Sequence, residues 1–199
     1  MTQSLTLRPA VPADASDLAV LFDAANRGFP VWFWSKSAVP GQSVLEVGRA
    51  RIRANVEADS HYKNWHVAAQ DGETLGAVLC KMLEVAYDAA DVSDASSVFR
   101  PFVELERQAQ GAWYVYALGV FGEHRGRGIG TELMHKAEAL ARATGVARMC
   151  LLVESFNPRA FAFYRRLGFA EVDRRPFVPF EDSTDAGDWI LLAKDLTPS

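Results

Sequence analysis

Apolar residues along the chain recur at two spacings, alternate positions and every third or fourth, and the switches between them lay out the elements. Residues 4–9 (SLTLRP) alternate and stop at Pro9, which predicts a short first strand. Asp14 and Asp17 stand in a capping arrangement ahead of Leu18, Leu21, Phe22 and Ala25 at helical spacing, and Gly28 and Pro30 close that segment. Ser43 with Glu46 is a capping box that opens a second helix running to about Val56. Residues 64–70 and 73–86 are apolar runs separated by Asp71-Gly72, a hairpin signal. From Tyr87 to Gly111 the composition turns to Asp, Ala, Ser and Gln with Pro101, which reads as an inserted surface excursion, helical in part near Val103 to Gln108.

The second half is more regular. Residues 112–121 (AWYVYALGVF) predict a long buried strand, and Gly126 to Gly130 a glycine-rich turn. Ile129, Leu133, Ala137, Leu140 and Ala141 mark one face of a helix ended by Gly145. Residues 147–154 predict another buried strand. Asn157-Pro158 is an N-cap with proline at the first helical position, Gly168 terminates that helix, and a final strand covers Trp189 to Asp195. Strand–helix–strand–helix in the middle of a mixed order gives an α/β or α+β class around one sheet, as a single domain over 1–199.

Composition narrows the function. A net charge of −4 leaves no basic footprint for nucleic acid. No apolar run approaches the roughly 20 residues of a membrane span. Met1 to Arg8 has neither the basic nor the apolar region of a signal peptide, so a cytoplasmic location is expected. Cys80 and Cys150 lie in apolar strand-like runs and read as free core thiols. The four histidines show no metal-ligand spacing; His61 and His66 lack the helical i, i+4 relation.

The sharpest chemical signal is Arg125-Gly126-Arg127-Gly128-Ile129-Gly130, placed after a strand and opening a helix. A helix start presents unpaired N–H groups and a positive dipole end, which suits a phosphate or pyrophosphate. Glycines admit the anion closely, and the two arginines can add charge-assisted hydrogen bonds. The bland alternative is a glycine turn with solvated arginines. A Walker A loop is absent, and a dinucleotide fingerprint fails because its third glycine position falls on Thr131 and the loop from Phe121 to Arg125 is too long.

Leu118-Gly119-Val120 followed by Arg125, Gly128 and Gly130 resembles the acetyl-CoA pyrophosphate motif of the GNAT superfamily of N-acetyltransferases. Asn157, Ala160, Phe163, Tyr164, Gly168 and Phe169 are similar to that family's second block. The resemblance is carried by about 112–170, extends over 4–86 and is silent for 87–111. It implies a GNAT fold: a mixed, mostly antiparallel, V-splayed sheet flanked by helices, with coenzyme A between two parting strands. It implies coenzyme contacts from Leu118, Gly119, Val120, Arg125, Gly126, Arg127, Gly128, Ile129, Gly130, Thr131, Asn157, Ala160 and Tyr164.

Acetyl transfer from a thioester to an amine needs a neutral amine, a polarised carbonyl and a protonated leaving thiolate. By resemblance, a backbone N–H near Leu118 polarises the carbonyl and Tyr164 is the acid; the alternative for Tyr164 is a core aromatic. Glu104 and Glu106 precede the central strand two residues apart, so an extended backbone would set them on one side. Glu106 is then the candidate base and Glu104 an acceptor contact, against the alternative of a solvated acidic stretch with Asp88, Asp91 and Asp94. Tyr114 and Tyr116 share a strand face and are placed to hold a water beside the acceptor instead. Phe29, Trp32, Phe33 and Trp34 crowd a loop between the first two helices, where Trp32 and Trp34 would enclose an amine or else pack on the core. The expectation is an acetyl-CoA-dependent N-acetyltransferase of a small-molecule or peptide amine, cationic by the acidic balance, with no metal; a non-catalytic acyl-CoA sensor is the rival. A homodimer is left open.

Overall fold

Asp71 and Gly72 reverse the chain where the hairpin signal stands. Both take left-handed φ values, +53° and +84°, the geometry of a primed two-residue turn whose twist matches its strands. β2 (Trp65–Gln70) and β3 (Glu73–Met82) leave it antiparallel. The computed structural model describes residues 4–84, 96–181 and 183–196, so the expected strand end at 85–86 and the acidic positions Asp88, Asp91 and Asp94 lie outside the described residues.

Seven strands belong to one mixed sheet in the order β1-β2-β3-β4-β5-β7-β6. They are completed by β1 (Thr6–Pro9), β4 (Trp113–Val120), β5 (Arg148–Glu154), β6 (Ala170–Pro176) and β7 (Asp188–Asp195). β1/β2, β2/β3, β5/β7 and β6/β7 pair antiparallel, and β4/β5 parallel. The chain gathers into two compact units, Met1–Cys80 with Tyr116–Ala139, and Lys81–Val115 with Leu140–Ser199.

In the first unit, α1 (Ala15–Ala25), α2 (Phe29–Ser35) and α3 (Val44–Ala54) supply Leu18, Leu21, Trp34 and Ile52 to a core shared with Trp65, Val67, Ala77, Leu79 and Ala117. Burying each leucine, isoleucine or valine among them contributes about 1.5–3 kcal/mol. Two local expectations change here. Asp14 does not cap α1 through its side chain; its carboxylate takes both Nη groups of Arg8 at 2.7 and 2.8 Å and the Val11 N–H at 2.7 Å. The aromatic stretch after Gly28 is helix α2, not loop: Pro30 sits in its first turn, and Asp23 Oδ1 accepts the Val31 N–H at 2.9 Å in place of a local cap. The Ser43 box behaves as read, with Glu46 accepting the Ser43 N–H at 3.0 Å. Gly48 in α3 is obligatory, because a Cβ there would lie 2.3 Å from the Trp34 ring.

The second unit packs β5 and β7, with Met149, Leu151, Val153 and Ile190 to Leu192 buried. α4 (Arg100–Glu106) continues into a 3-10 turn at Arg107–Ala109, the helical part of the excursion. α6 (Pro158–Arg166) follows its asparagine cap, and Gly168 ends it at φ +91°. Strand β6 was not legible in the sequence. Most of its residues are exposed and its composition, AEVDRRP, carries no apolar alternation, so an edge ladder to β7 and the ion pairs of Arg174 with Glu171 and Asp188 define it. Among the described residues, no helix is long and apolar enough to cross a membrane. Cys80 and Cys150 are buried and form no disulfide among the described residues, and burial pushes the Cys150 thiol up to about 11.

Candidate active site

Strand β4 alternates over its second half. Leu118 and Val120 are partly exposed while Gly119 between them is buried. A Cβ at Gly119 would lie 3.0 Å from the Leu21 carbonyl oxygen, and one at Gly76 would lie 2.6 Å from the Gly119 oxygen. Glycine at both positions therefore lets α1 and β3 close on β4. Gly119 is explained by this packing, whereas Leu118 and Val120 present the side chains expected to meet a ligand. The parallel ladder of the second unit joins Trp113–Val115 to Met149–Leu151.

After β4 comes a 3-10 turn, Gly122–His124, and then the glycine loop. Gly126 and Gly128 take φ +77° and +84°. A Cβ at either would meet nothing within 4 Å, so these glycines are required by backbone conformation and leave open space beside it. Helix α5 (Ile129–Ala143) starts at once. Its Thr131 and Glu132 N–H groups turn back onto the Gly128 carbonyl at 2.9 and 3.1 Å. The N–H groups of Ile129 and Gly130, ahead of them, are the open donors of a helix start. The Ile129 side chain is buried and anchors that start. The arginines differ: Arg125 Nε donates to the Val120 oxygen at 3.0 Å, while Arg127 reaches His124 Nδ1 at 3.1 Å and Gln70 Oε1 at 3.0 Å.

The aromatic expectations divide. Trp34 is a core residue, 3% exposed and 6.0 Å from the Phe22 ring, so enclosing an acceptor is not its role. Trp32 is half-buried, stacks near Phe29 at 5.3 Å and carries Lys36 Nζ 4.1 Å above its ring. Tyr116 is partly buried against the core of the first unit.

In the second unit, Asn157 Oδ1 accepts the Ala160 N–H at 3.2 Å. That cap starts α6 and uses the Ala160 donor. Tyr164 on α6 packs edge-on to Phe163 and Phe169 at 5.2 and 6.0 Å. Burial, and secondly the negative charge of Glu154, push its phenol well above the ordinary tyrosine value. It therefore stays protonated through neutral pH, as a proton donor must. The Glu104 and Glu106 expectation changes in geometry: both lie on helix α4, where positions two apart point about 200° apart and do not share a side. Glu104 accepts Arg175 Nε–H at 2.6 Å. Glu154, the acid that closes the apolar strand β5, is buried.

The Acetyltransferase (GNAT) family profile matches residues 25–169. The chain is 45% identical to the mycothiol acetyltransferase of Beutenbergia cavernae over 58 residues, 29% of this chain and 20% of that protein. It is 27% identical to the N-alpha-acetyltransferase 30 of Schizosaccharomyces pombe over 125 residues, 63% of this chain and 69% of that protein. The structure of yncA from Salmonella typhimurium, solved with its cofactor acetyl-CoA, superposes with a TM-score of 0.59 at 18% identity, covering 99% of this chain and 96% of that one.

Proposed function

The chain belongs to the GNAT acetyltransferase family, and from that premise we propose that it moves an acetyl group from acetyl-CoA directly to a primary amine within a ternary complex. The observation that carries this is the glycine loop. Two left-handed glycines open the backbone ahead of α5 and leave the Ile129 and Gly130 N–H groups as donors. Such a terminus holds a pyrophosphate with backbone dipoles and needs no metal. Arg125 adds the charge, with its Nε fixed on Val120.

The amine nitrogen attacks the thioester carbonyl, a C–N bond forms, the C–S bond breaks, and the thiolate takes the Tyr164 proton. Burial keeps the phenol protonated but also makes it a weaker acid, so the transfer relies on the departing thiolate being destabilised by the same poorly solvated surroundings. A cationic amine sheds one proton to solvent before attack and a second as the amide forms. Glu106 is the base we propose for the second, and that proton returns through solvent to the Tyr164 phenolate. The acceptor is a small-molecule or peptide amine, and the site of action is the cytoplasm.

Acetyl-CoA incubated with single amines (small amines, amino acids, polyamines, aminoglycosides and peptides) tests the reading by release of free thiol. Thiol release that depends on one amine class is expected. Tight acetyl-CoA binding with no turnover on any amine would favour the sensor.

A further inference from the structure

Arg127 stands in the middle of the anion loop, yet its guanidinium is turned along the protein surface. Nη1 meets His124 Nδ1 at 3.1 Å, and Nη2 donates to Gln70 Oε1 at 3.0 Å. A guanidinium has no acceptor, so His124 Nδ1 must be the acceptor and its proton sits on Nε2. That Nε2 faces Glu73 Oε1 at a long 3.4 Å, and the His124 side chain is 13% exposed. Gln70 and Glu73 are register partners that flank the Asp71-Gly72 turn. One chain of contacts therefore runs from the β2–β3 turn through His124 and Arg127 to the glycine loop, all in the first unit.

We infer that Arg127 is a positioning residue that ties the pyrophosphate loop to the β2–β3 turn through Gln70 and His124, and is not itself a phosphate ligand. The inference rests on the coenzyme reading of the loop given above. A loop with two glycines in left-handed conformation has much freedom to lose, and ordering its residues on binding costs backbone entropy. A brace that orders the loop beforehand removes part of that cost from the binding step. Arg125 has no such tie to the hairpin: its Nε is fixed on the strand that precedes the loop, and no Nη contact of its is found among the described residues. The two arginines thus divide the work, Arg125 toward the anion and Arg127 toward the scaffold.

The test is acetyl-CoA affinity by calorimetry on the full chain, for the parent, Gln70→Met, Arg127→Ala and the double variant. Met keeps the length of Gln70 and removes the acceptor. Each single change is expected to weaken acetyl-CoA about 3–10-fold, the range of one hydrogen bond. The double variant should be no weaker than the worse single, because both cut the same link. Turnover at saturating acetyl-CoA should stay within about twofold of the parent, since saturation overcomes a loss confined to binding. Gln70→Glu keeps an acceptor oxygen and should restore most of the affinity. Parental affinity in Gln70→Met beside a loss in Arg127→Ala, or losses that multiply, would overturn the brace and leave Arg127 as a direct ligand. A folded parent with no acetyl-CoA affinity at all would instead overturn the coenzyme reading, and the inference with it.

Discussion

The Glu104 carboxylate receives Arg175 Nε–H at 2.6 Å, and this pair fastens α4 to the edge strand β6. Arg175 is shared, since its Nη1 also meets Asp173 at 2.8 Å, and Asp173 in turn accepts Gln108 Nε2 at 2.5 Å. A carboxylate so engaged spends its charge inside the protein. Glu104→Gln should therefore leave turnover on a cationic amine, and its salt dependence, near the parent values. Its side chain and that of Arg175 are 29% and 32% exposed, so the stability loss should stay below about 1 kcal/mol. Thermal melts and initial rates at two ionic strengths check this; a marked loss of preference for cationic amines would return Glu104 to the acceptor site.

Gly128 holds φ +84° with open space at its Cβ position. Gly128→Val puts a branched side chain into the left-handed region, costing about 1–2 kcal/mol, and fills the space an anion would use. Acetyl-CoA binding should be lost while circular dichroism and a cooperative melt persist. Unchanged affinity in the folded variant would move the pyrophosphate away from this loop.

Tyr164→Phe should lower kcat by about 10²–10⁴-fold with acetyl-CoA affinity nearly intact, the signature of a lost general acid. Turnover within a few-fold of the parent would make Tyr164 a packing residue. Stability against pH gives an independent check. The folded phenol sits above its unfolded value of about 10, so the stability it contributes is present below that value and is lost as pH rises through it. The parent should therefore lose stability more steeply than Tyr164→Phe above about pH 10.

Asp14 is buried, which would raise its carboxyl, but Arg8 and the Val11 N–H outweigh burial and hold it below the ordinary range. A depressed carboxylate contributes stability above its unfolded value, near 3.9, and loses it as pH falls through the folded one. Asp14→Asn should cost roughly 1–3 kcal/mol at neutral pH, because Arg8 loses its counter-charge. The difference from the parent should shrink in melts run below about pH 4. A constant difference down to the lowest pH would assign the loss to packing.

What the sequence determined by itself were the features set by neighbours along the chain. The Asp71-Gly72 reversal, the Asn157 cap, the glycines ahead of α5 and the apolar strands β4, β5 and β7 follow from local backbone preference and burial period, and they stand where the residues put them. The family signature belongs here too, because a glycine loop opening a helix is a local object. Only tertiary structure could decide the rest. Strand β6 exists because β7 offers it a ladder, not because its own exposed residues alternate. Trp34 became core because Gly48, fourteen positions on, leaves room for its ring. Glu104 found its charge partner in Arg175, 71 residues away, and Arg127 its acceptor in Gln70, 57 residues away. Side-chain partners at such separations are set by how elements pack, and packing leaves no periodic trace in the chain that supplies them.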